Sequence, residues 1–91
     1  MRTDDLGQEL PEINSDGEAL VYMAIADFVA GQIERGERAV GSRLPSELDL
    51  SNMWGVARMT VRRAIRELRE RGLVNAVHGK GTFVTRPAPE E

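Results

Sequence analysis

Two arginines spaced four residues apart, Arg58 and Arg62, are the side chains in this sequence best suited to reading a polar, anionic ligand. They lie in the run VARMTVRRAI, which predicts a helix, and positions i and i+4 share one helical face. An arginine fork can donate two hydrogen bonds to O6 and N7 of guanine. Between the arginines, Thr60 could hydrogen-bond a phosphate and Met59 could touch a thymine methyl. This pattern predicts a helix that enters the major groove of DNA.

A second group of candidate residues follows the helix, in the tetrapeptide HGKG at residues 78–81. It separates two β-prone runs, LVNAV and TFVT, which predicts a hairpin. Gly79 and its fellow glycine would let the turn backbone approach a phosphate closely, while Lys80 adds charge. His78 could donate a hydrogen bond to a phosphate or a minor-groove acceptor. A lone histidine is more often structural. A DNA contact by the tip is therefore predicted mainly because the tip follows an arginine-rich helix.

The arginines also have a purely structural interpretation, as a solvated helix surface. Arg63 and Arg66 each stand four residues before a glutamate, which is the spacing of helical ion pairs. Arg58 has no acidic residue three or four positions away, so this interpretation explains it least. The DNA interpretation requires Arg58 and Arg62 to project from an exposed face, and it fails if they are tucked inward or held by neighbouring carboxylates.

The elements that must position these residues follow from apolar spacing and from helix-ending signals. The first helix is predicted over about residues 16–35, capped by Ser15 or Asp16 and stopped by Gly36. Phe28 lies off its apolar stripe and is expected at the domain edge or against a second subunit. The stripe consists of Tyr22, Ile25, Ala26, Val29 and Ile33.

Two shorter helices complete the helical part. The next is predicted over 47–54, with Ser46 as its N-cap and Gly55 as its end, and Leu50 and Trp54 facing inward. A third is predicted over 57–71 and ends at Gly72. Its inner stripe consists of Val61, Ile65 and Leu68. The expected fold class is mostly α with a small β-hairpin, in the form of a winged helix-turn-helix with three helices and a two- or three-stranded wing.

Charge is divided unevenly along the 91 residues, which suit a single domain. The net charge is −3, but residues 1–34 carry −7 whereas residues 35–86 hold eleven basic and five acidic residues, a net of +6. The basic part coincides with the predicted helix-turn-helix and hairpin, as expected for a nucleic-acid binder. We expect residues 1–15 to be a mobile acidic arm, 16–86 the folded domain and 87–91 a linker-like tail.

The same composition argues against other classes of protein. With one histidine and no cysteine, the chain offers no means to build a nucleophilic or metal centre, so neither an enzyme nor a cofactor is expected. No run reaches the length of a membrane span, and the acidic N-terminus is not a secretory signal. A cytoplasmic location is the default expectation.

Residues 21–84 resemble the winged helix-turn-helix of GntR-family bacterial transcription regulators. VYMAIA is similar to the opening of the family's first helix, and GSRLPSELDL to its connector and second helix. GVARMTVRRAIRELRERGLV is similar to its turn, recognition helix and helix exit, and HGKGTFV to its wing. Matches at so many fixed spacings are far more specific than any single motif.

The resemblance implies a repressor-type regulator that binds double-stranded operator DNA, usually as a homodimer on a palindromic site. It implies base contacts by Arg58, and base or phosphate contacts by Arg62 and Thr60. The wing tip at His78, Gly79 and Lys80 would enter the minor groove. Ser46 and Glu47 would open the second helix, where Ser46 meets phosphate.

Three positions depart from the family pattern. Leu48 stands where the family often has arginine, and Ala57 and Met59 where serine and threonine are common. A different base preference is therefore expected. Family members usually continue into a domain that binds an effector and dimerises, so we expect no effector site in these residues, whether the chain is an excised domain or a short regulator.

A different class of function is also compatible with the sequence. A protein-interaction module could keep the winged-helix fold without binding DNA. Its contact surface would be apolar, formed by Phe28, Leu48, Met53 and Met59.

Overall fold

Three helices and one hairpin make up the fold in the computed structural model, which describes residues 2–12 and 17–85. Helix α1 spans Glu18–Glu34, α2 spans Glu47–Trp54 and α3 spans Arg58–Glu70. Strands β1 (Val74–Val77) and β2 (Gly81–Val84) pair antiparallel, with Val74 opposite Val84 and Val77 opposite Gly81. The predicted fold class is confirmed, and each element lies within two residues of its expected bounds.

The helix ends show why these segments stop where they do. The Ser46 hydroxyl accepts a hydrogen bond from the Asp49 backbone N–H at 3.1 Å, which caps α2 as predicted. Gly55 ends α2 with a φ of 67°, a left-handed conformation that residues with a Cβ rarely adopt. Helix α1 begins after Gly17 without a side-chain cap. The expected caps Ser15 and Asp16 lie outside the described residues.

The core lies between α1 and α3 and is closed by α2 and the base of the hairpin. Ile25, Val61, Leu68 and Val84 are at most 2% exposed, so most of the predicted apolar stripes do form the interior. Ile65 and Tyr22 are only partly buried at its margin. Phe28 is also partly buried at this margin, in agreement with the expected place at the domain edge, and its ring packs edge-on against Trp54 at 5.4 Å between ring centres.

The acidic N-terminal segment differs most from expectation. Instead of a mobile arm, residues 2–12 form a turn that packs on the domain, and Leu10 belongs to the core. One oxygen of the buried Asp4 carboxylate accepts hydrogen bonds from the backbone N–H groups of Leu6 and Gln8, both at 2.9 Å. The other oxygen accepts from the amide of Gln32 at 2.6 Å, and Gln32 is itself fully buried.

Basic residues secure the same segment at two further points. The Arg38 guanidinium donates to both carboxylate oxygens of Asp5, at 2.7 and 3.0 Å, and to the side-chain oxygen of Gln32 at 2.8 Å. Arg2 donates to the last carbonyls of α2, at Asn52 and Met53. Acidic residues that looked like a solvated tail are therefore partnered with groups far away in the chain. The predicted tail at 87–91 lies outside the described residues.

The connector between α1 and α2 extends the hairpin on the free edge of β2. Arg43 forms an antiparallel bridge with Phe83. The backbone N–H of Leu44 donates to the Thr82 carbonyl at 2.8 Å, and that of Val84 donates to the Ser42 carbonyl at 2.8 Å. The connector thus runs directly from the sheet edge into the N-cap of α2.

Candidate nucleic-acid interface

The first turn of α3 presents the predicted arginines to solvent. The side chains of Arg58 and Arg62 are 58% and 51% exposed, so neither is tucked into the core. Val61, Ala64 and Leu68 on the opposite face of α3 are buried, which fixes the orientation of the helix. The first turn of α3 contains no acidic residue, so the positive end of its dipole reinforces the arginines.

A carboxylate nevertheless engages this pair, which the sequence analysis did not anticipate. Both Glu47 oxygens accept hydrogen bonds from Arg62, at 3.1 Å from Nε and 3.0 Å from Nη2. Arg58 Nη2 lies 3.8 Å from the same carboxylate, which is an ion-pair distance but too long for a hydrogen bond. Arg62 is thus held by a carboxylate and Arg58 lies near it, which is one of the two conditions named above against the DNA interpretation. The other condition, burial of the two side chains, is not met.

Solvent exposure decides what this contact means for binding. Water and salt compete effectively with exposed ion pairs, so an incoming phosphate or base edge can do the same. Arg62 uses Nε and Nη2 on Glu47, while its Nη1 faces the Met59 sulfur at 3.6 Å. Glu47 therefore holds the Arg62 guanidinium beside that of Arg58 and leaves both exposed to solvent.

The ion pair also perturbs the titration of both partners. Hydrogen bonding from Arg62 holds the pKa of the Glu47 carboxyl below its ordinary value, against a smaller opposing effect of burial. The same contact raises the pKa of Arg62. Glu47 is thus ionised at neutral pH and contributes a negative charge at the edge of a basic surface.

The remaining predicted residues of the helical part fall into two environments. Met59 is 58% exposed beside the arginines, and Leu48 on α2 is 51% exposed. Thr60 is only 7% exposed, because it lies on the inner side of α3 against the core. Its predicted phosphate contact is therefore poorly supported. Ser46 is exposed, and its oxygen caps α2 while its hydroxyl hydrogen remains able to donate.

The wing tip is a separate basic element. His78, Gly79 and Lys80 are all exposed, and the Lys80 backbone N–H donates to the Val77 carbonyl at 3.0 Å to close the turn. Gly79 has a φ of 74°, which explains the need for glycine at the tip. Within residues 2–12 and 17–85, no hydrogen bond or ion pair joins the wing tip to Glu47, Arg58 or Arg62.

Arg63 on α3 and Arg71 just after it have structural partners. The Arg63 guanidinium lies 4.4 Å from the centre of the Tyr22 ring, a cation–π contact. Glu67 accepts a hydrogen bond at 2.8 Å from Arg71, which also bonds Asp27 on α1 at 2.8 Å. The structural interpretation of the arginines thus applies to part of α3, away from Arg58 and Arg62.

Other kinds of site find little support in the part of the chain that the structure describes. Within it, histidine, aspartate and glutamate form no group of three that could hold a metal ion. None of its helices combines the length and apolarity needed to cross a membrane. Two of the four residues expected to form an apolar interaction surface, Phe28 and Met53, are partly buried against the core.

An exposed basic helix after a tight turn, followed by a hairpin with a basic tip, defines a winged helix-turn-helix domain. Residues 21–84 match the family model described as bacterial regulatory proteins of the gntR family. The chain belongs to this family. The resemblance inferred from the sequence motifs is confirmed.

Several curated relatives are repressors, and they are longer than this chain. The mannosyl-D-glycerate transport/metabolism system repressor MngR of Escherichia coli is 43% identical over 68 residues, which cover 75% of this chain and 28% of that protein. The repressor NagR of Bacillus subtilis is 37% identical over 79 residues, covering 87% of this chain and 32% of that protein. The chain thus spans about a third or less of the length of these relatives.

Solved structures agree with the fold. AraR(DBD) in complex with operator ORR3 superposes with a TM-score of 0.67 at 34% identity, over 70% of this chain and 77% of that one. YtrA of Sulfolobus acidocaldarius, a GntR-family transcription factor, has a TM-score of 0.74 at 29% identity over 86% of this chain and 82% of that one. These similarities favour DNA binding over a protein-interaction module that has lost it.

Proposed function

We propose that this chain is a sequence-specific reader of double-stranded operator DNA within a transcription repressor. The observation that carries the proposal is the exposed pair of guanidinium groups, Arg58 and Arg62, at the start of α3. Both lie on the helix that winged helix-turn-helix domains insert into the major groove. The complex of AraR(DBD) with operator ORR3 supports the same assignment.

In the proposed complex the two arginines donate to base edges, and Met59 contacts a neighbouring base through its apolar surface. Ser46 at the start of α2 donates to a backbone phosphate, and Glu47 holds Arg62 and Arg58 in place. The wing tip, with His78, Gly79 and Lys80, enters the flanking minor groove. Thr60 acts mainly through packing.

We further propose that two copies bind a palindromic site, since two-fold symmetric operators match symmetric dimers. Contacts of one copy with a half-site would then be duplicated in the other. We propose no effector site, cofactor site or catalytic role for the described residues. The expected place of action is the cytoplasm, where bacterial DNA is accessible.

An electrophoretic mobility shift experiment tests the function. Wild type is first used to select duplexes from a random-sequence library, and the selected duplex and a scrambled one are then titrated at several salt concentrations. Arg58→Ala and Arg62→Ala are each expected to weaken binding to the selected duplex by about 1–3 kcal/mol and to reduce discrimination. Absence of salt-sensitive binding by wild type would refute the function; full binding by both variants would refute only the site.

Arg35→Ala is a suitable control for these variants. Arg35 lies at the end of α1, where it pairs with Glu37 at 2.9 Å, so the variant removes the same charge from another part of the domain. Its binding is expected to remain close to wild type.

A further inference from the structure

Arg43 lies in the GSRLPSELDL run of the connector, but no sequence pattern assigned it a role. It belongs to the connector that pairs with β2, where it lies opposite Phe83. Three residues later, Ser46 caps α2. The backbone of Arg43 is therefore fixed both by the sheet edge and by the start of a helix.

The Arg43 side chain runs along the hairpin toward its tip. A Cβ placed on Gly81 would lie 2.7 Å from Arg43 Nε and 3.3 Å from Cζ, so the guanidinium rests directly on the Gly81 backbone. Gly81 immediately follows Lys80, and its φ of 119° is itself a conformation that favours glycine. A side chain at residue 81 would occupy the space that the Arg43 guanidinium uses.

The charge of Arg43 is uncommitted in the described part of the chain. Arg38, Arg62 and Arg71 each donate hydrogen bonds to at least one carboxylate. Arg43 is exposed and forms no ion pair or side-chain hydrogen bond with residues 2–12 or 17–85. A cation held against a backbone without an acidic partner is available to an anion from outside.

We propose that Arg43 binds a backbone phosphate of the DNA, at the strand that separates the groove read by α3 from the groove entered by the wing. This inference rests on the proposed function. The phosphate strand between two adjacent grooves must pass between the recognition helix and the wing, and Arg43 lies between the start of α2 and the wing tip. A phosphate contact of this kind positions the domain without reading sequence.

Arg43→Met tests the assignment because methionine keeps much of the aliphatic stem and removes the charged guanidinium with its donors. Affinity is measured at several salt concentrations for the selected duplex and for a scrambled duplex. We expect binding to both to weaken by a similar factor, about three- to tenfold, and the slope of log K against log salt to fall in magnitude by about one. The thermal unfolding midpoint should match that of wild type.

Arg35→Met supplies the matched control, since Arg35 lies at the end of α1, where it pairs with Glu37 at 2.9 Å. A salt slope for Arg43→Met equal to that of Arg35→Met would overturn the inference. A loss confined to the selected duplex would also overturn it, because it would indicate base reading. In either case salt-sensitive binding by wild type would leave the proposed function standing, whereas no binding by wild type would remove both.

Discussion

Glu47 and Arg62 meet through two hydrogen bonds of 3.0 and 3.1 Å between helices α2 and α3. The contact joins a carboxylate on α2 to a guanidinium on α3, the helix that is proposed to read DNA. In the proposed complex it places a negative charge close to the DNA phosphates, yet it also holds the guanidinium that is proposed to contact bases. Removing the negative charge should therefore strengthen binding to a scrambled duplex, while loss of the orientation should weaken discrimination in favour of the selected duplex.

Glu47→Gln should separate these effects. Loss of the negative charge is expected to strengthen binding to a scrambled duplex, because Arg58 and Arg62 then attract phosphates without competition. Loss of orientation is expected to weaken discrimination, so the affinity ratio between selected and scrambled duplexes should fall by about tenfold, or about 1.4 kcal/mol. Fluorescence anisotropy titrations of both duplexes measure the ratio. An unchanged ratio would show that Glu47 does not position the arginines.

Thr60→Val should have little effect on DNA binding. Thr60 is 7% exposed on the inner side of α3, so its hydroxyl is poorly placed for a phosphate. Affinity for the selected duplex is expected to stay within about threefold of wild type, a difference below about 0.7 kcal/mol. Thr60→Ser, which keeps the hydroxyl, serves as the control. A large loss for valine together with full binding for serine would restore the phosphate contact expected from the sequence.

Asp4→Ala should destabilise the domain even though it lies outside the family match. The substitution removes the acceptor for two backbone N–H groups and one of the two acceptors of Gln32 Nε2, and Gln32 is fully buried. Unsatisfied buried donors cost about 1–3 kcal/mol each, so we expect unfolding free energy to fall by about that amount or more. Urea unfolding followed by the fluorescence of Trp54, the single tryptophan, measures it.

Glu9→Ala is the matched control for that variant, because Glu9 is an exposed acid in the same segment. Its stability is expected to stay within about 0.5 kcal/mol of wild type. Equal stability of the two variants would contradict the role assigned to the Asp4 carboxylate.

Acid should weaken the attachment of the N-terminal segment, because it protonates the Asp5 carboxylate that pairs with Arg38. Hydrogen bonding from Arg38 holds the pKa of Asp5 below its ordinary value of 3.8, against some opposing burial. A carboxyl whose pKa is lowered by folding stabilises the fold above the ordinary value, and this contribution is lost as pH falls through the lowered value. Urea midpoints from about pH 6 down to about pH 1.5 should therefore decline less steeply for Asp5→Asn than for wild type. Parallel curves would disprove the linkage.

Local patterns were sufficient for the helices, the wing and the family. Ser46 and Gly55 mark the ends of α2 through bonds and dihedral angles that depend on near neighbours. Val61 and Leu68 recur at helical spacing, and that spacing alone turned α3 so that Arg58 and Arg62 face solvent. These features could be predicted because each depends on residues within one or two helical turns.

Contacts between distant segments could not be predicted in this way. Glu47 and Arg62 are 15 residues apart, and Asp4 and Gln32 are 28 apart, so neither pair has a spacing signal. The position of Arg43 against Gly81 likewise depends on how the connector pairs with β2.

The sequence by itself determined the elements, the family and the sign of the charge on α3, because hydrophobic period, caps and composition act locally. Only the tertiary structure decided which carboxylate meets which arginine and that the acidic N-terminus is packed. Charged side chains take the partners that folding brings within a few ångströms, and chain distance does not reveal those partners.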